Sequence, residues 1–253
     1  MTASGSEPAR TPGAAARKVA IITGATGGIG SAIVTAYRDL GYAVLATSRE
    51  IPDSQDPQVH AVSADLVEPG AGEHLVKAAL DRFGRIDTLV NSAGVYIGKP
   101  FTDYTDKDYD LIVGVNLRGF FNVTRSAVTA MLARDEGGGQ RGGHLVNIST
   151  SLVDRPDPHV PCALASLTKG GLNAVTRELA IEYASRGIRV NCVSLGVVRT
   201  PMNPEATPEL AARHPLGRME EVDDVVQAIR YLEQAPFVTG EILHVDGGQS
   251  AGH

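Results

Sequence analysis

The sequence predicts an α/β fold in which helices cover both faces of a seven-stranded parallel sheet, a doubly wound arrangement. Three observations support this prediction. Short apolar runs alternate with longer segments of helical periodicity, and the first run leads into a glycine-rich turn. Hydrophobic residues make up 43% of the 253 positions, which is enough for one large core. We therefore expect a single domain over residues 18–253.

The first strand, turn and helix are the region around which we expect the rest of the chain to be arranged. Residues 19–22 form a short β-branched run, and Gly24, Gly28 and Gly30 follow it. Glycines at these positions are predicted to adopt positive φ and to let the backbone approach a diphosphate. A helix starting near Ile29 would then direct its free N–H groups at the anion.

The remaining elements are predicted from apolar runs and helical periodicity. Further strands are expected at residues 42–47, 59–62, 86–90, 144–149, 188–193 and 241–245. Helices are expected at residues 29–40, 75–83, 109–131 and 163–179, and a last one is expected to begin at Asp223 as its N-cap. Residues 1–17 show no apolar periodicity, so we expect a disordered tail.

Composition and charge exclude several classes of function. The net charge of -6 gives no basic stripe for nucleic acid, so a small-molecule partner is expected. Cys162 and Cys192 lie far apart without metal-ligand spacing, which predicts two buried thiols and no metal site. The sequence shows neither an apolar stretch of about 20 residues nor the apolar core of a signal peptide. We expect no membrane partner and a cytoplasmic location.

Several short motifs resemble those of the short-chain dehydrogenase/reductase superfamily over residues 18–250. They are the Gly-x-x-x-Gly-x-Gly turn behind Thr23, Asp65-Leu66, Asn91-Ser92-Ala93-Gly94, Asn116, Asn147-Ile148-Ser149, Lys169, Arg189-Val190-Asn191, Thr200 and Asp246-Gly247-Gly248. The resemblance implies a Rossmann-type fold and an NAD(P)-dependent oxidoreductase acting on a small carbonyl or alcohol. It also implies that residues 201–217 form a mobile lid over the substrate.

The resemblance assigns cofactor contacts to residues spread along the chain. They are Gly24, Thr26, Gly28, Ile29, Gly30, Ser48, Arg49, Asp65, Leu66, Asn91, Ala93, Gly94, Lys169, Val198 and Thr200. Within this set Asp65 is expected to hold the adenine amino group, although a helix N-cap is the alternative. Ser48 stands where an acidic residue would bind a ribose 2′-hydroxyl, and Arg49 beside it suits a 2′-phosphate. NADP is therefore expected in preference to NAD.

The catalytic residues implied by the resemblance are incomplete. Such enzymes use a serine, a tyrosine and a lysine four residues after the tyrosine, because one helical turn places ammonium and phenol on one face. Lys169 is present, but Ala165 stands where the tyrosine is expected. Thr150 takes the usual place of the serine, and Ser151 is the alternative. Asn116 is expected to kink its helix and to hold a water chain to the lysine.

The missing phenol leaves both the proton donor and the function open. Tyr96 and His159 are candidate donors by position, although we expect both to line the substrate pocket with Ala165; water relayed through Thr150 and Lys169 is a third candidate. A catalytically silent NADP(H)-binding protein is the alternative function. A further explanation is that Ala165 was introduced deliberately to trap a complex. The neighbouring residues also depart from the usual family pattern around the tyrosine, which favours a natural variant.

An oligomer is also implied by the resemblance. The helices expected over residues 115–131 and 163–183 have the pattern that family members bury against a partner. We therefore expect a homotetramer or a homodimer.

Overall fold

The computed structural model describes residues 17–136, 142–201 and 207–252, and in this part of the chain seven strands form one parallel sheet. The strands are β1 (Val19–Thr23), β2 (Ala43–Ser48), β3 (Val59–Ser63), β4 (Thr88–Asn91), β5 (Gly143–Thr150), β6 (Ile188–Leu195) and β7 (Ile242–Val245). Their order is β3-β2-β1-β4-β5-β6-β7. The predicted fold class is confirmed, and each strand lies within two residues of its expected position.

Helices connect the strands, and they are α1 (Gly28–Asp39), α2 (Ala71–Phe83), α3 (Asp106–Val113), α4 (Phe120–Glu136), α5 (Ala163–Tyr183), α6 (Pro208–Ala211) and α7 (Val222–Gln234). Most helices lie where the periodicity predicts them, but α2 begins four residues earlier than expected and α6 lies in the segment expected to form the lid. The single helix predicted over residues 109–131 is wrong in one respect, because a π-helical turn at Gly114–Gly119 separates α3 from α4. The N-cap predicted for α7 is also wrong. Glu221 caps it, and Asp224 completes a capping box.

Among the described residues two large hydrophobic cores form, one on each face of the sheet, beside a smaller cluster around Ala165. Alternate residues of β1 enter different cores, because successive side chains of a strand point to opposite faces. Ile22 packs with Ile33 of α1 and Ile229 of α7. Ile21 packs on the other face with Leu75 of α2 and with α4. The predicted buried thiols, Cys162 and Cys192, are confirmed as free and buried.

A buried polar network closes the amino ends of the strands, opposite to the predicted site. The Glu233 carboxylate, on α7, accepts hydrogen bonds from Tyr37 (2.8 Å), Tyr42 (2.7 Å) and Thr88 (3.2 Å). His144 Nδ1 lies 2.8 Å from the same carboxylate. Burial alone would raise the pKa of Glu233, but the bonds from His144 and the two tyrosines lower it to about 2. Glu233 is therefore ionised and ties α7 to the sheet.

Two of the predicted segments fall partly outside the residues that the structure describes. The expected tail at residues 1–17 lies outside them, except for Arg17. Residues 202–206 of the expected lid also lie outside them.

Among the described residues, no helix combines the length and apolar character needed to cross a bilayer.

Candidate active site

The predicted site residues follow the carboxyl ends of neighbouring strands. Gly24 follows β1, Ser48 ends β2, Asn91 ends β4, Thr150 ends β5 and Val198 lies shortly after β6. Because the sheet is parallel, these ends meet along one edge, where open α/β sheets bind their ligands. The structure therefore brings together residues that the sequence separates by more than 170 positions.

The glycine-rich turn depends on small size as much as on unusual backbone geometry. Gly24 has a φ of +67°, and a Cβ there would lie 2.8 Å from the Ala93 Cα. Gly28 and Gly30 have no positive φ, so that part of the prediction is wrong; both belong to the first turn of α1. A Cβ on Gly30 would lie 2.1 Å from the Gly24 carbonyl oxygen, so glycine is needed there for close packing.

The turn leaves the start of α1 free to receive an anion. Gly27 is the N-cap, and it provides no side chain to bond the first N–H groups of the helix. No acidic residue lies in the first turn. The helix dipole and these N–H groups therefore favour a phosphate beside Gly28 and Ile29.

The end of β2 carries the residues expected to select the cofactor. The Ser48 hydroxyl accepts hydrogen bonds from the Thr26 N–H (3.1 Å) and the Thr26 hydroxyl (3.0 Å), which joins β2 to the phosphate turn. Arg49 is exposed beside it. Asp65 is exposed too, and it accepts from the Val67 N–H at 3.0 Å. The alternative role of Asp65 as a helix N-cap does not hold, because α2 begins after Gly70.

The Asn91 side chain has a structural role at the carboxyl edge of the sheet. Its amide donates to Thr124 and to Asn147, both at 3.0 Å, and Asn147 in turn donates to Thr176 at 2.9 Å. All four side chains are buried. The Asn91 side chain therefore ties β4 to β5 and to the helices beneath, and the expected contact of this residue with the cofactor stays a prediction.

The segment after β4 passes directly over β1. The Thr23 hydroxyl accepts from the N–H groups of Ser92 and Ala93, both at 3.1 Å. This contact holds Ala93 against Gly24 and leaves Gly94 exposed at the surface of the edge.

Lys169, Asn116 and Gly94 form the centre of the candidate site. A Cβ on Gly94 would lie 3.1 Å from Lys169 Nζ and 3.4 Å from Asn116 Oδ1. Asn116, in the π-helical turn, accepts from the Val95 N–H (2.9 Å) and donates to the Thr168 hydroxyl (3.1 Å). Lys169 donates to the Ile148 carbonyl at 2.7 Å, and burial lowers the pKa of Lys169 to about 8.

The position of the expected phenol is occupied by a short apolar side chain. Ala165 is 3% exposed and packs with Leu152 and Cys162. Thr150 is half-buried and accepts weakly from the Leu152 N–H at 3.4 Å. Ser151 is fully buried, and its hydroxyl bonds to Leu195 and Gln249. Thr150 is therefore the hydroxyl of the pair that remains open to a ligand.

The two other candidate proton donors lie near the surface. Tyr96 is 44% exposed, and partial burial raises the pKa of its phenol. The same phenol lies over Gly98, where a Cβ would come within 2.7 Å of it. His159 is exposed, and its backbone N–H bonds to Asp157. Neither side chain has a described contact with Lys169.

The loop after β6, residues 196–200 (the β6 loop), carries Val198 and Thr200. A Cβ on Gly28 would lie 3.2 Å from the Thr200 Cβ, so this loop reaches the phosphate turn. His214 and Glu220 lie beneath it, and sequence reasoning missed both. No local pattern marks them, because their burial arises from the packing of distant segments.

Comparison with known proteins agrees with this geometry. The sequence profile of the family described as enoyl-(acyl carrier protein) reductase matches residues 24–250. The chain is 34% identical over 250 residues to 3-oxoacyl-[acyl-carrier-protein] reductase FabG of Thermotoga maritima, covering 91% of this chain and 97% of that protein. It is 35% identical over 244 residues to L-xylulose reductase of Bos taurus, covering 90% and 95% of the two chains.

Solved structures with the same fold include complexes with dinucleotides. The 3-ketoacyl-(acyl-carrier-protein) reductase of Brucella melitensis complexed with NADH has a TM-score of 0.82, with 31% identity and coverage of 92% of this chain and 98% of that one. A blue fluorescent protein from a metagenomic library, in complex with NADPH, has a TM-score of 0.79 with 30% identity, covering 92% and 97%. The chain therefore belongs to the short-chain dehydrogenase/reductase superfamily, a family of NAD(P)-dependent oxidoreductases.

Proposed function

We propose that this protein binds NADP(H) along the carboxyl edge of the sheet and catalyses the reduction of a small carbonyl or the reverse oxidation. The observation that carries the proposal is the placement of Lys169 beside Gly94 and Asn116, with the phosphate turn at the same edge. The relatives named as reductases, and the structures complexed with NADH and NADPH, support the reaction class and the cofactor.

The residues present fit a dinucleotide. Gly24, Gly28 and Gly30 allow the close packing that forms the turn, and the uncapped start of α1 offers N–H donors to a diphosphate. Exposed Arg49 suits a 2′-phosphate, and no carboxylate stands at Ser48 to repel it. The bound nicotinamide supplies a hydride donor or acceptor. Lys169 and Thr200 are proposed to orient it.

The proton is proposed to travel by a route that does not use a phenol at position 165. With a pKa of about 8, Lys169 retains its proton at Nζ at neutral pH. Thr150 ends β5 at the same edge, and its half-buried hydroxyl is proposed to hand a proton to a substrate oxygen. A water molecule would join the two. Burial raises the pKa of the Tyr96 phenol, so it gives up its proton less readily than an ordinary tyrosine.

A second function, a catalytically silent NADP(H)-binding protein, is favoured by one specific observation. The apolar surroundings of Ala165, with Leu152 and Cys162 against it, place no acidic hydrogen one helical turn before Lys169. Removal of a general acid lowers a rate about 10²- to 10⁴-fold. A kinetic measurement therefore has to distinguish slow turnover from the absence of turnover.

The test combines binding with turnover. Fluorescence titration gives the Kd for NADPH and NADH, and loss of NADPH absorbance is followed over a panel of carbonyl compounds. Binding with turnover of any carbonyl supports the oxidoreductase. Tight binding without turnover on the whole panel supports the silent protein, and absence of binding contradicts both.

A further inference from the structure

His214 and Glu220 are two buried polar residues that have no role in the proposed chemistry. Their relative exposures are 2% and 4%. His214 follows α6, and Glu220 precedes α7, so neither belongs to a strand end. Both line a cavity of about 430 Å³ bounded by Arg218, Asp224 and Asp246. Buried polar groups are costly unless they form hydrogen bonds, so their partners indicate what they do.

Both side chains bond to the backbone of the β6 loop. Glu220 Oε2 accepts from the Gly196 N–H at 2.9 Å, and His214 Nε2 accepts from the Val197 N–H at 3.0 Å. The main chain of Glu220 adds two bonds, donating to the Val197 carbonyl (3.1 Å) and accepting from the Arg199 N–H (2.8 Å). Three residues of the loop are therefore held by one short segment.

Close packing makes this arrangement specific. A Cβ on Gly196 would lie 2.5 Å from His214 Nε2, and one on Gly247 would lie 2.9 Å from the His214 Cβ. The imidazole is thus enclosed by two glycines. At the other end of the loop, Thr200 lies against the phosphate turn. The position in which the loop is held therefore determines the position of Thr200 relative to Gly28.

We propose that His214 and Glu220 are positioning residues that hold the β6 loop, and with it Thr200, in the geometry that binds the nicotinamide. This inference rests on the proposed function, because it assumes that the loop contacts the cofactor. Neither residue touches the reacting atoms. Both act through the backbone N–H groups of Gly196 and Val197.

The protonation states of the pair suit this role. Because Nε2 of His214 accepts a hydrogen bond, the neutral ring carries its hydrogen on Nδ1, and burial lowers the pKa of His214 so that the ring stays neutral. Burial raises the pKa of Glu220 to about 8. Glu220 faces Arg218, Asp224 and Asp246, and His214 faces Arg213 and Asp246.

A pH dependence of cofactor affinity follows from these states. The raised pKa of Glu220 means that the packed loop favours the protonated acid, since ionisation would add a buried charge beside two aspartates. By linkage, a ligand that needs the packed loop binds more weakly once Glu220 ionises. If the form with ionised Glu220 does not bind, a pKa of about 8 gives a loss of about tenfold by pH 9.

The experiment measures the Kd for NADPH by fluorescence titration from pH 6.5 to 9, together with thermal unfolding. Four proteins are compared: the unmodified chain, Glu220→Gln, Glu220→Leu and the control Glu241→Gln, whose side chain is exposed. Glutamine keeps an acceptor for the Gly196 N–H but has no carboxyl group that titrates. Leucine has a similar side-chain volume but offers no acceptor. Lys169 titrates in the same range, so the difference between variants, rather than the unmodified profile, is decisive.

We expect Glu220→Gln to bind NADPH as the unmodified protein does at pH 7 and to lose less affinity by pH 9. Glu220→Leu should bind about tenfold more weakly at pH 7, the effect of one lost hydrogen bond, because it leaves the Gly196 N–H without its acceptor. The control should match the unmodified protein throughout.

Two results would overturn the inference. One is unchanged affinity in folded Glu220→Leu; the other, which also decides the matter if that variant fails to fold, is an identical pH profile for Glu220→Gln and the unmodified chain. Absence of NADPH binding by the unmodified chain would instead contradict the proposed function.

Discussion

Replacement of Ala165 by tyrosine tests the missing proton donor directly. Residue 165 lies on α5 one turn before Lys169, so a phenol there shares the face of the ammonium. We expect the Ala165→Tyr variant to reduce an activated ketone at least about tenfold faster than the unmodified protein. A positioned general acid contributes about 10² to 10⁴ in rate, and an unevolved pocket should give the lower end of that range.

Two opposing effects set the size of the gain. Because the pKa of Lys169 is about 8, roughly 90% of its amine is charged at pH 7, which favours ionisation of a neighbouring phenol. Against this, the ring must enter a space where Ala165 packs with Leu152 and Cys162. Overpacking of this kind costs about 1–3 kcal/mol of folding stability. We therefore expect a lower melting temperature together with a higher rate per folded molecule.

Ala165→Phe is the matched control, since it adds the same ring without the hydroxyl. Initial rates of NADPH oxidation are compared for the three proteins at equal concentrations of folded protein. If tyrosine and phenylalanine give the same rate while both variants bind NADPH, the missing phenol is not what limits the reaction, and the silent binding protein becomes the better account.

Three further outcomes are expected. NADPH should bind more tightly than NADH, and Arg49→Asp should reverse the preference in parallel titrations; equal affinities in the unmodified protein would contradict the assignment of Ser48 and Arg49. Glu233→Gln should lower the free energy of unfolding by about 3 kcal/mol at pH 7, since a carboxyl whose pKa falls from 4.5 to about 2 stabilises the fold above pH 4.5, and the difference in urea unfolding should shrink as the pH falls toward 2. Light scattering at micromolar concentration should give a dimer or tetramer, because Phe121 on α4 and Leu167 on α5 are 56% and 59% exposed, and a monomer mass would refute this.

The sheet was predictable because each strand is a local apolar run. Residues 19–22 and 188–193 mark β1 and β6 without any knowledge of their neighbours. The π-helical turn at Gly114–Gly119 was not predictable in this way, since one extra residue in a helical turn hardly changes the apolar pattern. The roles of Gly28 and Gly30 were misjudged because a glycine required for its small size looks the same in sequence as one required for positive φ.

The candidate site was predictable only where motifs lie at strand ends. Lys169 and Asn116 come from motifs, and the structure adds that Gly94 lies between them. His214 and Glu220 had no such signal, because they become partners of Gly196 and Val197 only when the segment before α7 folds under β6. A buried acid cannot be distinguished from a surface acid by its place in a polar stretch of sequence.

The network around Glu233 lies at the end of the sheet away from the proposed chemistry, and this has a consequence for inherited variation. A substitution of Tyr37 or His144 would reduce the amount of folded protein in the cell, while each molecule that folds would retain its affinity for the cofactor. The resulting defect would be one of dosage and would be corrected by higher expression or lower temperature. Substitutions at the carboxyl edge would have the opposite character, with normal abundance and altered catalysis.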